Sequence, residues 1–158
     1  MKGVSSINVT EDIALVTLNN LPRDLCLIAQ ILSTFGEQGI NIDMISQSAP
    51  TGSTADVSFT INAEDVVRAL EIIRPFRAQH RSLRPMVSSG NCKIQLYGQE
   101  MRQQPGVAAQ VFSIVSQVSG GEIMLVTTSE VDISLLLAHH CAQEVLAALR
   151  EYFGVDAE

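Results

Sequence analysis

The sequence predicts an α+β fold built from two β-α-β-β-α-β units, and three observations predict it. A segment recurs: Ala29-Gln30-Ile31-Leu32-Ser33 returns eighty positions on as Ala109-Gln110-Val111-Phe112-Ser113, and Ile42-Asp43-Met44-Ile45-Ser46-Gln47-Ser48 returns as Ile123-Met124-Leu125-Val126-Thr127-Thr128-Ser129. A helical stripe recurs with it. Ile28, Ile31, Leu32 and Phe35 stand at i, i+3, i+4 and i+7, and Ala108, Val111, Phe112 and Val115 repeat those spacings. Short apolar runs alternating with polar residues lie between the stripes, as in half-buried strands. At 158 residues each unit has about 70, enough for one core but marginal alone, so the units should pack together or dimerise.

In the first unit, Ile13 to Leu18 reads as a strand ending at Asn19-Asn20-Leu21-Pro22. The first helix follows and ends at Gly36 and Gly39. Ile40, Ile42 and Met44 then alternate with Asn41 and Asp43. Pro50-Thr51-Gly52-Ser53 turns the chain into a strand where Val57, Phe59 and Ile61 alternate with Asp56, Ser58 and Thr60. Asn62 is a plausible N-cap for a helix marked by Val66, Leu70 and Ile73, and Leu83 to Val87 supplies the last strand.

The second unit begins with Ile94 and Leu96. After its helix, Ile123 to Thr128 and Val131 to Leu137 form two strands joined by a tight turn at Ser129-Glu130, and Leu146, Leu149 and Phe153 mark the final helix. Gly154 to Glu158 is too short and polar for a fourth strand. The spare segment lies at the other end, where Val4, Ile7 and Val9 have no role in the first unit. The expectation is that this N-terminal strand completes the second sheet, giving domains at 11–88 and at 1–10 with 89–158.

Apolar content of 46% suits a folded chain, no apolar run reaches membrane-spanning length, and Met1-Lys2-Gly3-Val4-Ser5-Ser6 carries no signal-peptide core. Cys26, Cys92 and Cys141 are odd in number and widely spaced, which reads as reduced thiols in a cytoplasmic protein. A net charge of −7 argues against a nucleic-acid partner. Arg74, Arg77, Arg81 and Arg84, beside Pro75 and Pro85, read as a solvated connector, with anion or partner binding as the alternative.

The chain has no P-loop, G-x-G-x-x-G, G-x-S-x-G or H-E-x-x-H, so neither catalytic residues nor a cofactor is expected. His139-His140-Cys141 resembles a ligand set. Three adjacent residues cannot all face one ion from a regular element, however, and no distant partners stand at ligand spacing. A helix start is the better account, and no metal is expected. Cys26 has no base nearby in sequence and reads as a packed or partly buried thiol. Glu11-Asp12 and Glu64-Asp65 read as acidic residues at element starts.

Several motifs in order are recognisable as a family pattern. Gly39-Ile40-Asn41-Ile42-Asp43-Met44-Ile45 followed by Gln47, and Thr54 to Thr60, resemble the first regulatory ACT domain of aspartokinase. Gly98 to Met101, Pro105-Gly106-Val107-Ala108-Ala109, Thr128-Ser129-Glu130-Val131 and Leu149 to Gly154 resemble its second. The resemblance covers essentially the whole chain and implies two ferredoxin-like domains. It implies that the segment before the first domain joins the second domain's sheet. The family's catalytic domain, with its Lys-Phe-Gly-Gly motif, has no counterpart, so this chain alone is expected not to be an enzyme.

The resemblance further implies an amino-acid effector, lysine or threonine, held between two domains where a loop-to-helix start meets a second strand. Helix N–H groups suit its carboxylate, and carbonyls with an acidic side chain suit its ammonium. Carried over, Gln104, Pro105, Gly106, Val107 and Ala108 form the loop, Asn41, Ile42, Asp43 and Gln47 the strand, and Ser129 and Glu130 are further candidates. Asn41 and Asp43 also read as a strand's polar face, Glu130 as a turn residue and Pro105-Gly106 as an ordinary helix start.

Two departures bear on the number of sites. The first unit has Arg23-Asp24-Leu25-Cys26 where the family has a Pro-Gly, and the second has Gly120-Gly121-Glu122-Ile123 where it has the strand Asn. One effector site per pair of units is the better-supported expectation. Implied partners are a second copy, as a homodimer through ACT domains, and a separate aspartokinase catalytic subunit. The alternatives are a structural subunit that has lost its ligand and a fragment of a full aspartokinase.

Overall fold

The computed structural model describes residues 3–118 and 120–156. Met1, Lys2, Ser119, Ala157 and Glu158 lie outside these, and with them both ends expected for the second domain. The chain divides into a contiguous unit, Asp12–Ser89, and a second assembled from the flanking segments Met1–Glu11 and Gly90–Glu158.

The elements run β1 (Ser6–Pro22), α1 (Leu25–Glu37), β2 (Ile45–Gln47), β3 (Thr54–Asn62), α2 (Val66–Gln79), β4 (Arg84–Tyr97), α3 (Val107–Gln117), β5 (Ile123–Thr128), β6 (Asp132–Ala138) and α4 (His139–Phe153). Short 3₁₀ turns cover Ala63–Asp65 and Gln99–Gln103. The strand expected at Ile13 and the spare N-terminal strand are therefore one continuous strand. Likewise the last strand of the first repeat and the first of the second are both β4. Each of the two strands passes from one unit to the other through a residue of positive φ, Asp12 at 57° and Gly90 at 75°. Glu11-Asp12 thus sits in mid-strand, not at an element start, because Asp is one of the few side chains that tolerates the left-handed region there.

In the Asp12–Ser89 unit the strand order is β2-β3-β1-β4, with β3 antiparallel to both β1 and β2. Alternation places Ala14, Val16 and Leu18 of β1 and Val57, Phe59 and Ile61 of β3 on one face. They share a core with Leu27, Ile28, Ile31 and Phe35 of α1 and Ala69, Ile72 and Ile73 of α2. Phe35 meets Phe59 edge to face, with ring centroids 5.2 Å apart.

In the other unit the order is β1-β4-β6-β5, with β6 antiparallel to β4 and β5. The N-terminal strand does complete this sheet. Val4 and Ile7 are buried with Ile94 and Leu96 of β4, Leu135 and Leu137 of β6, and the inner faces of α3 and α4. Each unit has the ferredoxin-like arrangement that the repeat predicts.

Several local expectations change. Asn62 precedes the first 3₁₀ turn but makes no side-chain cap bond, and α2 starts only at Val66. The buried stripe of α2 is Ala69, Ile72 and Ile73, while Leu70 is exposed. On α3 the buried row is Val107, Val111 and Val115, leaving Ala108 and Phe112 outward. Pro75 lies inside α2, where Ile72 and Ile73 before it and the partly buried Phe76 after it hold the helix despite one lost N–H. Arg74 and Arg77 are therefore helical, and Arg84 opens β4. All four arginines are nonetheless exposed. The residues before β2 keep the expected alternation, with Met44 buried and Asn41 and Asp43 outward, yet only Ile45–Gln47 forms a strand. The Thr60 hydroxyl accepts the Met44 N–H at 2.9 Å, taking a donor that a regular ladder would use.

Candidate functional site

The two helix starts that the repeat makes equivalent are built differently. In the Asp12–Ser89 unit, Asp24 is the N-cap of α1 and its carboxylate accepts the Cys26 N–H at 2.9 Å. This helix end carries its own anion. Cys26 is exposed, contrary to the packed thiol expected, because the capped first turn turns it away from the core that Leu27 and Ile28 enter.

In the other unit the N-cap of α3 is Gly106, at φ 97° and with no side chain capping the helix. That left-handed conformation favours glycine, and a Cβ is not available to fill the space in front of the turn. Its carbonyl accepts the Gln110 N–H at 3.0 Å, so the helix begins there and the first-turn N–H groups point out of its end. Upstream, the Gln99–Gln103 turn closes with the Gln104 N–H donating to the Met101 carbonyl at 3.1 Å, which sets the loop.

A cleft of about 250 Å³ opens in front of this helix start. Gln104, Pro105, Gly106, Val107 and Ala108 line it on one side and Thr128, Ser129 and Glu130 on another, with the buried Met101 and Ile133 adding apolar surface. Two groups predicted separately from sequence, the loop and the Ser129-Glu130 turn, are thus brought together. Arg102 also lines the cleft and was missed. Its guanidinium lies 3.9 Å from the Glu130 carboxylate, both side chains being at least half exposed. The only sequence signal was its place directly after the Gly98 to Met101 motif.

Ser129 has a structural task. Its hydroxyl donates to Asp132 Oδ1 at 2.5 Å and accepts the Val131 and Asp132 N–H groups at 3.2 Å, organising the β5–β6 turn. This bond is the first cause holding the Asp132 carboxyl below its ordinary value; Gln95 and the charge of Lys93 add to it and burial opposes it. The cleft therefore offers helix N–H groups and a guanidinium to an anion, and the Glu130 carboxylate to a cation. A ligand bearing both charges within a few ångströms matches that set.

Asn41, Ile42, Asp43 and Gln47 belong to the Asp12–Ser89 unit, whereas every residue lining the cleft belongs to the other. Asn41, Asp43 and Gln47 are exposed, Ile42 packs against the core of its unit, and the Asp43 N–H donates to the Thr60 carbonyl at 3.2 Å.

Of His139-His140-Cys141, α4 does start at His139, and Cys141 is buried with its thiol on the Ala138 carbonyl at 3.3 Å. The expectation that no distant partner exists does not hold, since His139 Nδ1 lies 3.4 Å from Cys92 Sγ. Strand register, which spacing does not encode, brings them together. Among the described residues no helix is long and apolar enough to cross a membrane.

An ACT domain family profile matches residues 27–74 and 94–153. The chain is 31% identical over 155 residues to an aspartokinase of Geobacillus stearothermophilus, covering 98% of this chain but 37% of that relative's length. Its fold is similar to the ligand-free regulatory subunit of aspartate kinase from Thermus thermophilus, with TM-score 0.85, 26% identity and 94% and 97% of the two chains covered. It is likewise similar to a chain in a structure of aspartokinase alpha and beta subunits, with TM-score 0.84, 27% identity and 96% and 99% covered. The matched portion is thus the regulatory one.

Proposed function

The chain belongs to the ACT domain family, and from that premise we propose that it is a non-catalytic module that senses lysine or threonine for feedback control of aspartate-family amino-acid synthesis. One observation carries the reading. The helix start at Gly106 is uncapped and faces a cleft holding both Arg102 and Glu130, whereas the equivalent start at Leu25 is closed by Asp24. An α-amino acid presents a carboxylate and an ammonium to such a set, and of the two repeat-equivalent starts only the one at Gly106 lacks a side-chain cap, which supports one effector site for each pair of units.

The proposed ligand residues are Gln104, Pro105, Gly106, Val107 and Ala108 with Ser129 and Glu130. Asn41, Ile42, Asp43 and Gln47 form a second set. The proposed domain bounds are 11–88 and 1–10 with 89–158. A homodimer and a separate aspartokinase catalytic subunit are the proposed partners, the latter supported by the likeness to a chain solved among aspartokinase alpha and beta subunits. Three free cysteines support a reducing, cytoplasmic setting.

Calorimetric titration of the 158-residue chain with lysine and with threonine tests the reading. Saturable binding of one of them is expected. No heat from either, with the chain shown to be folded, overturns effector sensing.

A further inference from the structure

Glu11, Cys92 and His139 each present one ligating atom, and the three atoms lie within 4.8 Å of one another. They come from β1, β4 and the first residue of α4, all in the unit formed by the flanking segments. Register explains the meeting. Cys92 pairs with Leu137 on β6, and β6 ends at Ala138, so the next residue, His139, is delivered beside the Cys92 side chain.

The spacing fits a tetrahedral ion. Bonds of about 2.3 Å to sulfur and about 2.0 Å to nitrogen at a tetrahedral angle hold those two atoms about 3.5 Å apart. Cys92 Sγ and His139 Nδ1 are 3.4 Å apart. Glu11 is exposed, so its carboxylate can rotate into the third position. Cys92 is fully buried, and its thiol meets the His139 ring nitrogen.

We infer that Glu11, Cys92 and His139 form a binding site for a borderline divalent ion of the Zn²⁺ type, with the fourth position open to water. A thiolate and an imidazole select such an ion over Mg²⁺ or Ca²⁺. Binding replaces the Cys92 S–H bond with an S–metal bond and releases the proton to solvent. The thiolate and the Glu11 carboxylate then balance the two charges of the ion.

Co²⁺ titration of the 158-residue chain provides the test, because a thiolate bound to Co²⁺ gives a near-ultraviolet charge-transfer band that a free thiol–imidazole hydrogen bond does not. One equivalent of Co²⁺ should raise the band, and Zn²⁺ should abolish it. His139→Ala, at an exposed position that leaves the core intact, should lose it, and Cys26→Ser should keep it. No band in the wild-type chain, a band unchanged in His139→Ala, or loss in Cys26→Ser would each overturn the site.

Discussion

Ser129 and Asp132 close the β5–β6 turn through a hydroxyl-to-carboxylate hydrogen bond of 2.5 Å, and the same hydroxyl accepts two backbone N–H groups. Because the folded pKa of Asp132 is depressed, first by Ser129, the bond stabilises the fold above the unfolded carboxylate value. That stability is complete above about pH 4 and is lost as pH falls through the lower folded value. Ser129→Ala should bring the Asp132 titration, followed by carboxyl NMR, back toward the ordinary range. It should also cost roughly 0.5–1.5 kcal/mol at neutral pH in urea unfolding. An unmoved titration would mean that Ser129 is not the principal cause.

Two glycines should respond oppositely to alanine. A Cβ at Gly98 would run into the Gly3 carbonyl oxygen and lie 3.0 Å from Val4 Cα, backbone atoms of the segment completing the sheet. Gly98→Ala should destabilise by roughly 1–3 kcal/mol, with the overpacking felt at that strand. Gly36 lies within α1 and meets nothing within 4 Å, so Gly36→Ala should stabilise by roughly 0.5–1 kcal/mol. Melting curves of both variants check the pair.

In the proposed arrangement Asp43, from the same chain or from a second copy, joins Glu130 in holding the ammonium, so Asp43→Ala should weaken amino-acid binding by roughly 1–3 kcal/mol. Cys26→Gly should change it little, because Asp24 already closes that helix start. Calorimetry on both variants decides: unchanged affinity in Asp43→Ala removes the Asn41–Gln47 set from the site.

Self-association is the next expectation. Leu25 and Val67 are 77% and 68% exposed, Met86 and Phe112 are also outward, and the edge strand β2 is exposed along its length. Light scattering at micromolar concentration should give twice the 17.1 kDa chain mass. A monomer mass would remove the dimer.

What was legible in the sequence followed from local period. The stripe of α1 was read correctly at Ile28, Ile31 and Phe35, which recur at helical spacing and are buried. On α3 two adjacent rows are apolar, Val107–Val111–Val115 and Ala108–Phe112, and only the sheet decides which is covered. Continuity of β1 and β4 was hidden because Glu11-Asp12 and Gly90 look like breaks, while the chain uses positive φ there to continue. The loop and turn of the cleft were found by motif, but Arg102 and the Cys92–His139 encounter depend on register across strands distant in sequence.

The division of β1 and β4 between the two units orders how a ribosome-borne chain can fold. The Asp12–Ser89 unit is contiguous and can close on itself as soon as its own residues emerge. Its companion must wait for Gly90 and beyond, and must then recapture Ser6–Glu11 across the whole intervening length, a closure whose entropic cost rises only slowly with that length. Until then the early segment waits unpaired, and its neighbour on the chain acts as a prefolded spacer that shortens the search.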